Sequence, residues 1–320
     1  MTRFVDIDLS RLPAIDAIKT LDYEQNLADR IARFTEAARV EGIEYDVGAL
    51  ETDPAVILMQ VEAYFDVLLK QRVNDAAKSV RLAYAAGEDL EHIAAEFGVA
   101  RFEGEGDESL RRRRQLAVEA LSTAGPEGAY LFFALAAHPN VADTAIYDPQ
   151  SGLCDPGQVL VVIASKDNQG VPGPAVLDAV ANFLDARTIK YADFTSRTRQ
   201  VTRQQAIRPL TDWVIVEAAN DYPFNIDAVL KVPYGPDMEV VRQTALTRLD
   251  AYLASRRKVG AKVSDSAIAA ALHVTDASGA AIVDDVDVTL SATDANGDID
   301  PGAKGIARAA GINVEVEVLS

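Results

Sequence analysis

The sequence predicts an α+β fold, in which an N-terminal helical region is followed by two small α/β sandwich-like modules with mixed or antiparallel sheets. Three observations support this prediction. Apolar residues recur at helical spacing in the first part of the chain, and this pattern changes after Asn140. The run Gln158–Ala164 is continuously apolar, as in a strand covered on both faces. Residues Phe224–Val232 alternate between apolar and polar, as in a strand with one buried face.

This pattern divides the chain into four segments. We expect an extended N-terminal arm over residues 1–21, a helical domain over 22–140, a first α+β module over 141–210, and a second over 211–320 that ends in an acidic, β-rich region. Pro13 interrupts any helix in the arm. The arm could lie over a neighbouring subunit, or it could be a partly ordered terminus that packs on its own domain.

Two helices are predicted to open the helical domain. The first runs from Asp22 to about Val40, with apolar residues at i, i+4, i+7 and i+11, namely Leu27, Ile31, Phe34 and Ala38. The pair Asp53-Pro54 then provides an N-cap and a first-turn proline for a longer helix.

The longer helix is central to our interpretation because it carries apolar side chains on more than one side. One arc is predicted to be its core face and contains Ile57, Leu58, Val61, Tyr64, Phe65, Leu68 and Leu69. Val56, Met59 and Val67 lie on the far side, which does not fit a surface helix with a single apolar stripe. We therefore expect helices of a second copy or another protein to complete a bundle here.

Polar residues near the end of this helix enter the same arc. Arg72 and Asp75 are three positions apart, so they can meet on the helix surface. They could form a buried or interfacial pair, or they could mark a solvated helix end. After Gly87, apolar residues at i, i+3, i+4 and i+7 predict a second short helix and thus a helical hairpin; they are Leu90, Ile93, Ala94 and Phe97.

A run of four consecutive arginines, Arg111 to Arg114, lies in a further predicted helix. Successive helical side chains turn by about 100°, so the four cannot form one basic face for nucleic acid. We expect some of them to pair with nearby acids and others to reach an acidic neighbouring chain; the nearby acids are Glu103, Glu105, Asp107 and Glu108.

The later elements are predicted from turn signals between apolar runs. They comprise a helix containing Val176 to Leu184, strands near Arg199–Ile207, Trp213–Ala219 and Phe224–Val232, a helix containing Val241 to Leu253, a shorter helix capped by Ser264, and strands at Val286–Leu290 and Ile312–Val318.

The sequence shows no catalytic constellation, so we expect a protein that is not an enzyme and binds no cofactor. The three histidines lie far apart, and no glycine-rich phosphate loop is present. The one cysteine, Cys154, excludes an internal disulfide and a cysteine-based metal site, and we expect it to be unreactive. The acidic string at residues 294–300 could gather calcium, but its spacing departs from a calcium loop, and an Asn-Gly turn explains the same residues.

Charge and hydropathy exclude further classes of function. The formal net charge of −18 argues against a nucleic-acid-binding surface and against binding to anionic membranes. No apolar run is long enough to cross a bilayer, and the first residues do not resemble a signal peptide, so we expect the chain to stay in the cytoplasm where it is made and not to insert into a membrane. Acids predominate between residues 265 and 300, and this region, including Asp284 and Asp285, could dock on a basic surface of another copy or remain as solvated loops.

Several ordered motifs resemble a known family. They are Asp53-Pro54, Gln71-Arg72-Val73-Asn74, the run from Leu82 to Leu90 (LAYAAGEDL), Gly98-Val99, Glu108 to Arg113 (ESLRRR), and Ala124 to Tyr130 (AGPEGAY). Together with the later strand and helix pattern, they are similar to the baseplate J-like proteins, which are wedge components of contractile phage tails. The resemblance covers nearly the whole chain.

The resemblance implies a structural protein of the virion. Its partners would be other baseplate wedge proteins and copies of itself, joined in a ring around the tail tube that relays the change triggering sheath contraction. Residues predicted to contact partners are Val56, Met59, Phe65, Leu68, Arg72, Asp75, Arg111, Arg114, Asp284 and Asp285. The alternatives are the equivalent wedge protein of a tailocin or an extracellular contractile injection system and, ranked behind both, a soluble metal- or ligand-binding protein.

Overall fold

The computed structural model describes residues 7–13, 17, 22–44, 53–200, 207–276 and 279–319. The chain forms two compact units, an N-terminal unit of Met1–Gln115 and a C-terminal unit of Leu116–Ser320. The helices are α1 (Tyr23–Val40), α2 (Pro54–Ser79), α3 (Gly87–Ala95), α4 (Asp107–Ala120), α5 (Glu127–Ala137), α6 (Pro174–Phe183), α7 (Met238–Arg256) and α8 (Asp265–Leu272). The strands are β1 (Val141–Tyr147), β2 (Gln158–Ser165), β3 (Thr188–Lys190), β4 (Ser196–Thr198), β5 (Trp213–Ala218), β6 (Asn220–Val232), β7 (Asp285–Leu290) and β8 (Gly305–Val318).

The N-terminal unit is built from helices whose starts were predicted from the sequence. Asp22 caps α1 by accepting the Gln25 N–H, and Asp53 caps α2 by accepting the Ala55 N–H at 2.8 Å. Part of the N-terminal arm contacts this same unit, since Tyr84 donates its hydroxyl to the Leu12 carbonyl at 2.7 Å.

The C-terminal unit contains two sheets, which confirms the predicted α+β class. The five-stranded sheet has the order β1-β2-β5-β3-β4 and mixes parallel with antiparallel pairs. The three-stranded sheet has the order β7-β6-β8, in which β6 pairs antiparallel with β7 and parallel with β8. Because β5 belongs to the first sheet, strands from both sides of residue 210 share one sheet. The division into domains at residues 140 and 210 stays a prediction.

Most predicted strands are confirmed. β2 lies inside its sheet between β1 and β5, and its residues from Leu160 to Ala164 are fully buried, as a strand covered on both faces requires. β6 alternates between buried and exposed residues from Phe224 to Val232. The strand expected near residues 199–207 lies mostly in 201–206, outside the described residues, and the nearest strand is β4.

Candidate partner-binding surfaces

One face of α2 consists of large apolar side chains that the chain leaves exposed. We call it the outer face; it contains Ile57, Leu58, Val61, Tyr64, Phe65, Leu68, Leu69 and Val73. The exposed fraction is 62% for Phe65 and 45% for Leu68. Exposed apolar residues are ordinary when scattered, but a contiguous row along one helix is typical of a surface that binds another protein.

The opposite, inner face of α2 is the one that the chain covers. Val56 and Met59 are 5% and 6% exposed and pack with Leu27 and Ile31 of α1. The expectation that the outer face forms the core was therefore wrong, and the two sides are reversed. Helical periodicity locates both stripes on the wheel, but it does not show which stripe the chain's own neighbouring helix covers. The assignment of Val56 and Met59 to a partner interface stays a prediction.

Ion pairs hold α1 along one flank of α2. Arg30 donates to Glu62 at 2.8 Å and lies 3.8 Å from Asp66. Lys70 donates to Asn26 at 2.5 Å and forms an ion pair with Asp66 at 3.4 Å. These contacts fix the orientation of α1 on α2, so the outer face of α2 has a defined direction relative to α1.

Arg72 and Asp75 are both exposed near the end of α2. Asp75 accepts a hydrogen bond from Gln71 at 2.8 Å, one turn earlier on the helix. This arrangement matches a solvated helix end, which is the second of the two interpretations given by the sequence. Their contact with a partner stays a prediction.

Three arginines of α4, Arg111, Arg113 and Arg114, contact different groups of the N-terminal unit, as expected for side chains that point in different directions. Arg113 pairs with Glu105 and stacks 4.2 Å from the centre of the Phe102 ring. The two charged side chains are 5% and 1% exposed, so this ion pair is buried.

Arg111 is 9% exposed, and its guanidinium donates to two backbone carbonyls, those of Leu82 at 2.8 Å and Ala85 at 2.6 Å. It also pairs with Glu108 at 2.5 Å. These bonds tie α4 to the segment between α2 and α3. The contact predicted between Arg111 and another chain is untested, and its guanidinium is already engaged here.

Arg114 lies over the Phe97 ring at 3.6 Å, and its Nε atom is buried without a hydrogen-bond partner. Burial lowers the pKa of its guanidinium. The charge of Arg114 is therefore only partly compensated within the unit, and its predicted contact with an acidic neighbour is untested.

Several acidic residues of the second module lie on the solvent-facing side of the three-stranded sheet. Asp285 and Asp287 on β7 both pair with Lys231 on β6, at 2.9 and 2.7 Å. Asp284 is exposed at the start of this strand. Strand register adds Asp227 on β6 and two exposed glutamates on β8, Glu315 and Glu317. We call this surface the acidic sheet face.

Asp284 and Asp285 belong to the acidic region that was predicted from the sequence to contact another copy. Asp227, Glu315 and Glu317 were not predicted. The alternation of acids with valines in the sequence VEVEV, residues 314–318, was the signal that could have found the two glutamates, because alternate residues of a strand share a face.

No group of three or more histidine, cysteine, aspartate or glutamate side chains among the described residues is arranged to hold a metal ion. In the string at 294–300, Asp294 accepts the N–H groups of Asn296 and Asp298, and Asp300 pairs with Lys262 at 2.6 Å. These residues form a turn with Gly297 at φ +86°. Burial raises the pKa of the Cys154 thiol, which disfavours the reactive thiolate.

Among the described helices, none combines the length and the apolarity that a bilayer span requires.

Comparison with known proteins identifies the family. Residues 51–103 match the model of the baseplate J-like N-terminal domain, and residues 122–218 match that of the baseplate J-like central domain. Baseplate protein J of Escherichia phage P2 is 33% identical over 285 residues, which cover 84% of this chain and 87% of that protein. The first match contains α2, α3 and the outer face, and the second contains β1 to β5. The chain belongs to the baseplate J-like family of phage tail proteins.

Proposed function

We propose that the chain is a structural subunit of the baseplate wedge of a contractile phage tail, and that the outer face of α2 packs against helices of other wedge proteins. The observation that carries this proposal is the row of large apolar side chains exposed on α2. Family membership supports a structural role in the baseplate, and the exposed row supports α2 as the surface by which the chain joins it.

The spacing of the outer face suits a helical partner. Ile57, Val61, Tyr64 and Leu68 stand at i, i+4, i+7 and i+11, which makes a straight stripe along α2. Such stripes pack against other helices by interdigitating side chains. Burying apolar surface contributes about 25 cal/mol per Å², so a full row of large residues gives a substantial driving force. Arg72 and Asp75 would extend the stripe with polar groups that set the register of the partner.

The same reasoning extends to the assembled particle. Wedges joined through their C-terminal units would form a ring around the tail tube, and repacking of these interfaces on host contact would release sheath contraction. Such a change needs surfaces with two alternative packings rather than bond chemistry, so we propose a protein that is not an enzyme. The relative from phage P2 supports a phage tail over a tailocin or another injection system.

Introducing a charge on the outer face tests the proposal. Phe65→Asp and Leu68→Asp each place a carboxylate in the row, and we expect both variants to be excluded from baseplates while the C-terminal unit stays folded. The assay supplies each variant to a phage that lacks its own copy, followed by electron microscopy of the tails and circular dichroism of the purified chain. Thr247→Asp places the same charge on an exposed position of α7 and should assemble normally. Normal incorporation of both outer-face variants would refute the assignment.

The acidic sheet face provides a second proposed contact, between one copy and the next. Carboxylates outnumber the single amine of Lys231 on this face, so a basic partner surface would be attracted. Salt shortens the range of such attraction to about 8 Å at physiological ionic strength and about 3 Å at 1 M. We expect ring formation, followed by sedimentation, to weaken strongly as salt rises. Indifference to salt would exclude this contact.

A further inference from the structure

The outer edge of β8 is a long strand edge in the C-terminal unit. β8 has 14 residues and lies on the side of β6 opposite β7, at the border of the three-stranded sheet. Among the described residues, no strand pairs with its other side. The chain covers the start of this edge, since the Gly305 carbonyl accepts the Gly260 N–H at 2.8 Å. A long free edge can pair with a strand of another protein, so native proteins usually cover or protect such edges.

The hydrogen bonds to β6 show which backbone groups of β8 point outward. Val232 is paired with Val318, and its carbonyl accepts the Leu319 N–H at 2.8 Å. In a parallel ladder a residue bonds to the residues before and after its partner, so alternate residues of β8 direct both backbone groups to β6. Beyond the register shift opposite Asn225, those that point away are Ile312, Val314, Val316 and Val318. Their backbone N–H and carbonyl groups have no partner among the described residues.

The side chains of these four residues form an apolar row that the chain covers in part. Alternate residues of a strand share a face, and this row lies on the face that carries the core of the three-stranded sheet. Val314 is 6% exposed in that core, whereas Ile312 and Val318 are 38% and 44% exposed. A further strand beside β8 would cover the exposed part of the row.

A cavity of about 230 Å³ lies beside the same edge and is lined by residues of α7 and β8. Its wall is mainly apolar and also contains one aspartate and two arginines; the apolar residues include Leu253, Val263, Ala307, Ala309 and Ile312. The volume is below that of sites for drug-sized ligands, which start at about 300 Å³, and it suits one side chain. A strand along β8 would direct every second side chain towards α7, so one of them could enter this cavity.

The other face of the edge is acidic. Glu315 and Glu317 lie on the acidic sheet face, and neither pairs with a cation among the described residues, since Lys231 pairs with the aspartates of β7. Every second side chain of an added strand would lie next to these glutamates, which favours lysine or arginine there. The β8 strand of a second copy would instead bring its own glutamates to this position, where like charges repel.

We propose that the outer edge of β8 binds an extended segment of another baseplate protein as an added strand. The segment alternates apolar residues, which face α7 and reach the cavity, with lysines or arginines, which meet Glu315 and Glu317. Hydrogen bonds to the outward backbone groups provide affinity, and the alternating side chains provide specificity. The proposal rests on the proposed function only for the identity of the partner as a baseplate protein.

Hydrogen–deuterium exchange of the purified full-length chain, followed by NMR, tests the edge. The probe is a capped octapeptide of alternating lysine and valine, and the control peptide has glutamate in place of lysine. In the free chain we expect the amides of Ile312, Val314 and Val316 to exchange faster than those of Asn313 and Glu315, which bond to β6. Saturation with the lysine peptide should slow the first three by about tenfold or more, and the glutamate peptide should not. No slowing with the lysine peptide, or equal slowing with both, would overturn the proposal.

Methylation of the peptide nitrogens tests whether binding occurs by strand pairing. An antiparallel segment whose valines face α7 bonds to β8 through the valines, and a parallel segment bonds through the lysines. N-methylation of all valines in one peptide and of all lysines in another should therefore abolish binding in one case and leave it in the other. Binding of both methylated peptides with unchanged affinity would mean that no strand is added, and the proposal would be wrong.

Charge-swapped variants test the acidic side of the edge. Glu315→Lys with Glu317→Lys should weaken binding of the lysine peptide by about tenfold, since two exposed ion pairs are lost and like charges then repel. The same variant should gain affinity for the glutamate peptide. The control is Glu24→Lys with Glu41→Lys, which changes the same charge at exposed positions of the N-terminal unit and should leave both affinities unchanged. Unaltered affinities in the β8 variant would contradict the assignment.

Exchange in assembled baseplates identifies the occupant. The amides of Ile312, Val314 and Val316 should exchange at least about tenfold more slowly in baseplates than in the free chain. Equal exchange would show that the edge stays open in the particle, and slowing that grows with the concentration of the free chain would show a second copy there. Either result would refute the proposed partner. Failure of the outer-face test is a separate outcome, because it uses variants of α2 and measures entry into baseplates.

Discussion

Glu105 and Arg113 show how a buried charge is stabilised in the N-terminal unit. Arg113 Nε donates to Glu105 at 2.9 Å, Ser109 donates its hydroxyl to the same carboxylate at 2.7 Å, and the Phe102 N–H donates at 3.0 Å. Arg113 also donates to the Ala100 carbonyl at 2.8 Å. The pair thus joins α4 to the loop that follows α3, and both charges depend on each other because water is excluded.

Removing one partner should destabilise this unit strongly. In Arg113→Met the Glu105 carboxylate would stay buried without its cation, which costs about 3–5 kcal/mol in comparable pairs. The matched control is Arg242→Met, which breaks an exposed pair with Glu239 on α7 and should change the stability little because solvent screens the pair. Hydrogen–deuterium exchange of the amides in residues 82–115 measures the first effect. Exchange as slow as in the parent chain would show that the pair contributes little.

The same pair predicts a dependence of stability on pH. Burial alone would raise the pKa of Glu105, but hydrogen bonds from Arg113, Ser109 and the Phe102 N–H outweigh burial and hold the pKa below its ordinary value of 4.5. A carboxyl with a lowered pKa stabilises the fold above its unfolded-state pKa and loses this contribution as the pH falls through the folded-state pKa. The difference in melting temperature between the parent and Glu105→Gln should therefore shrink from pH 6 to pH 3. A constant difference in thermal unfolding followed by circular dichroism would contradict this.

Among single residues, part of the contacts made by Arg111 to Arg114 could be predicted from the sequence. The divergence of the four side chains and the pairing with Glu105 and Glu108 follow from helix geometry and nearby charge. The anchoring of Arg111 on the carbonyls of Leu82 and Ala85 could not be predicted, because every residue has a backbone carbonyl and only the fold selects the acceptors.

Among the elements, β8 connects the two sheets of the C-terminal unit. Ile306, near its start, packs in the core of the five-stranded sheet with Leu160 and Ile215. Further along, Val314 belongs to the core of the three-stranded sheet. Lys304, just before the strand, pairs with Glu217 on β5 at 2.9 Å. Among the described strands, β8 is hydrogen-bonded only in the three-stranded sheet, but its side chains contribute to the cores of both sheets.

Gly305 at the start of β8 is required by close packing. A Cβ atom at this position would lie 2.0 Å from the Pro301 carbonyl oxygen, and the Gly305 carbonyl itself accepts the Gly260 N–H at 2.8 Å. Gly305→Ala must displace backbone and should cost about 1–3 kcal/mol. Gly173→Ala is the control, since a Cβ there meets nothing within 4 Å. Urea unfolding followed by Trp213 fluorescence measures both, and equal stability of the two variants would exclude the steric argument.

Elements with one strong pattern were predictable, and elements that depend on distant pairing were not. The apolar run of β2 and the alternation of β6 are local signals. β3 and β4 are short, three residues each, and β3 exists because β5 pairs with it. The prediction reversed the two faces of α2 because both carry apolar residues. The narrower, inner face is the one that packs on α1.

Across the whole molecule, the exposed apolar and acidic surfaces are those expected of a subunit that assembles with other proteins. The outer face of α2 is apolar, and the acidic sheet face is negatively charged. An apolar surface is stabilised when a partner removes it from water, and a negatively charged surface attracts a positively charged partner. The sequence predicted the need for partners from apolar residues on two sides of one helix, whereas the acidic sheet face comes from strands that only folding brings together.

Cysteine labelling of α2 in the free chain and in assembled baseplates tests the central claim most directly. In a Cys154→Ser background, Leu58→Cys introduces a thiol at a position that is 60% exposed, and Ala63→Cys introduces one on the inner face at a position that is fully buried. We predict that Cys-specific reagents label the first site in the free chain and fail to label it in baseplates, while the second is unreactive in both until urea is added. Equal labelling at the Leu58 position in the free chain and the baseplate would contradict the claim that this face binds a partner.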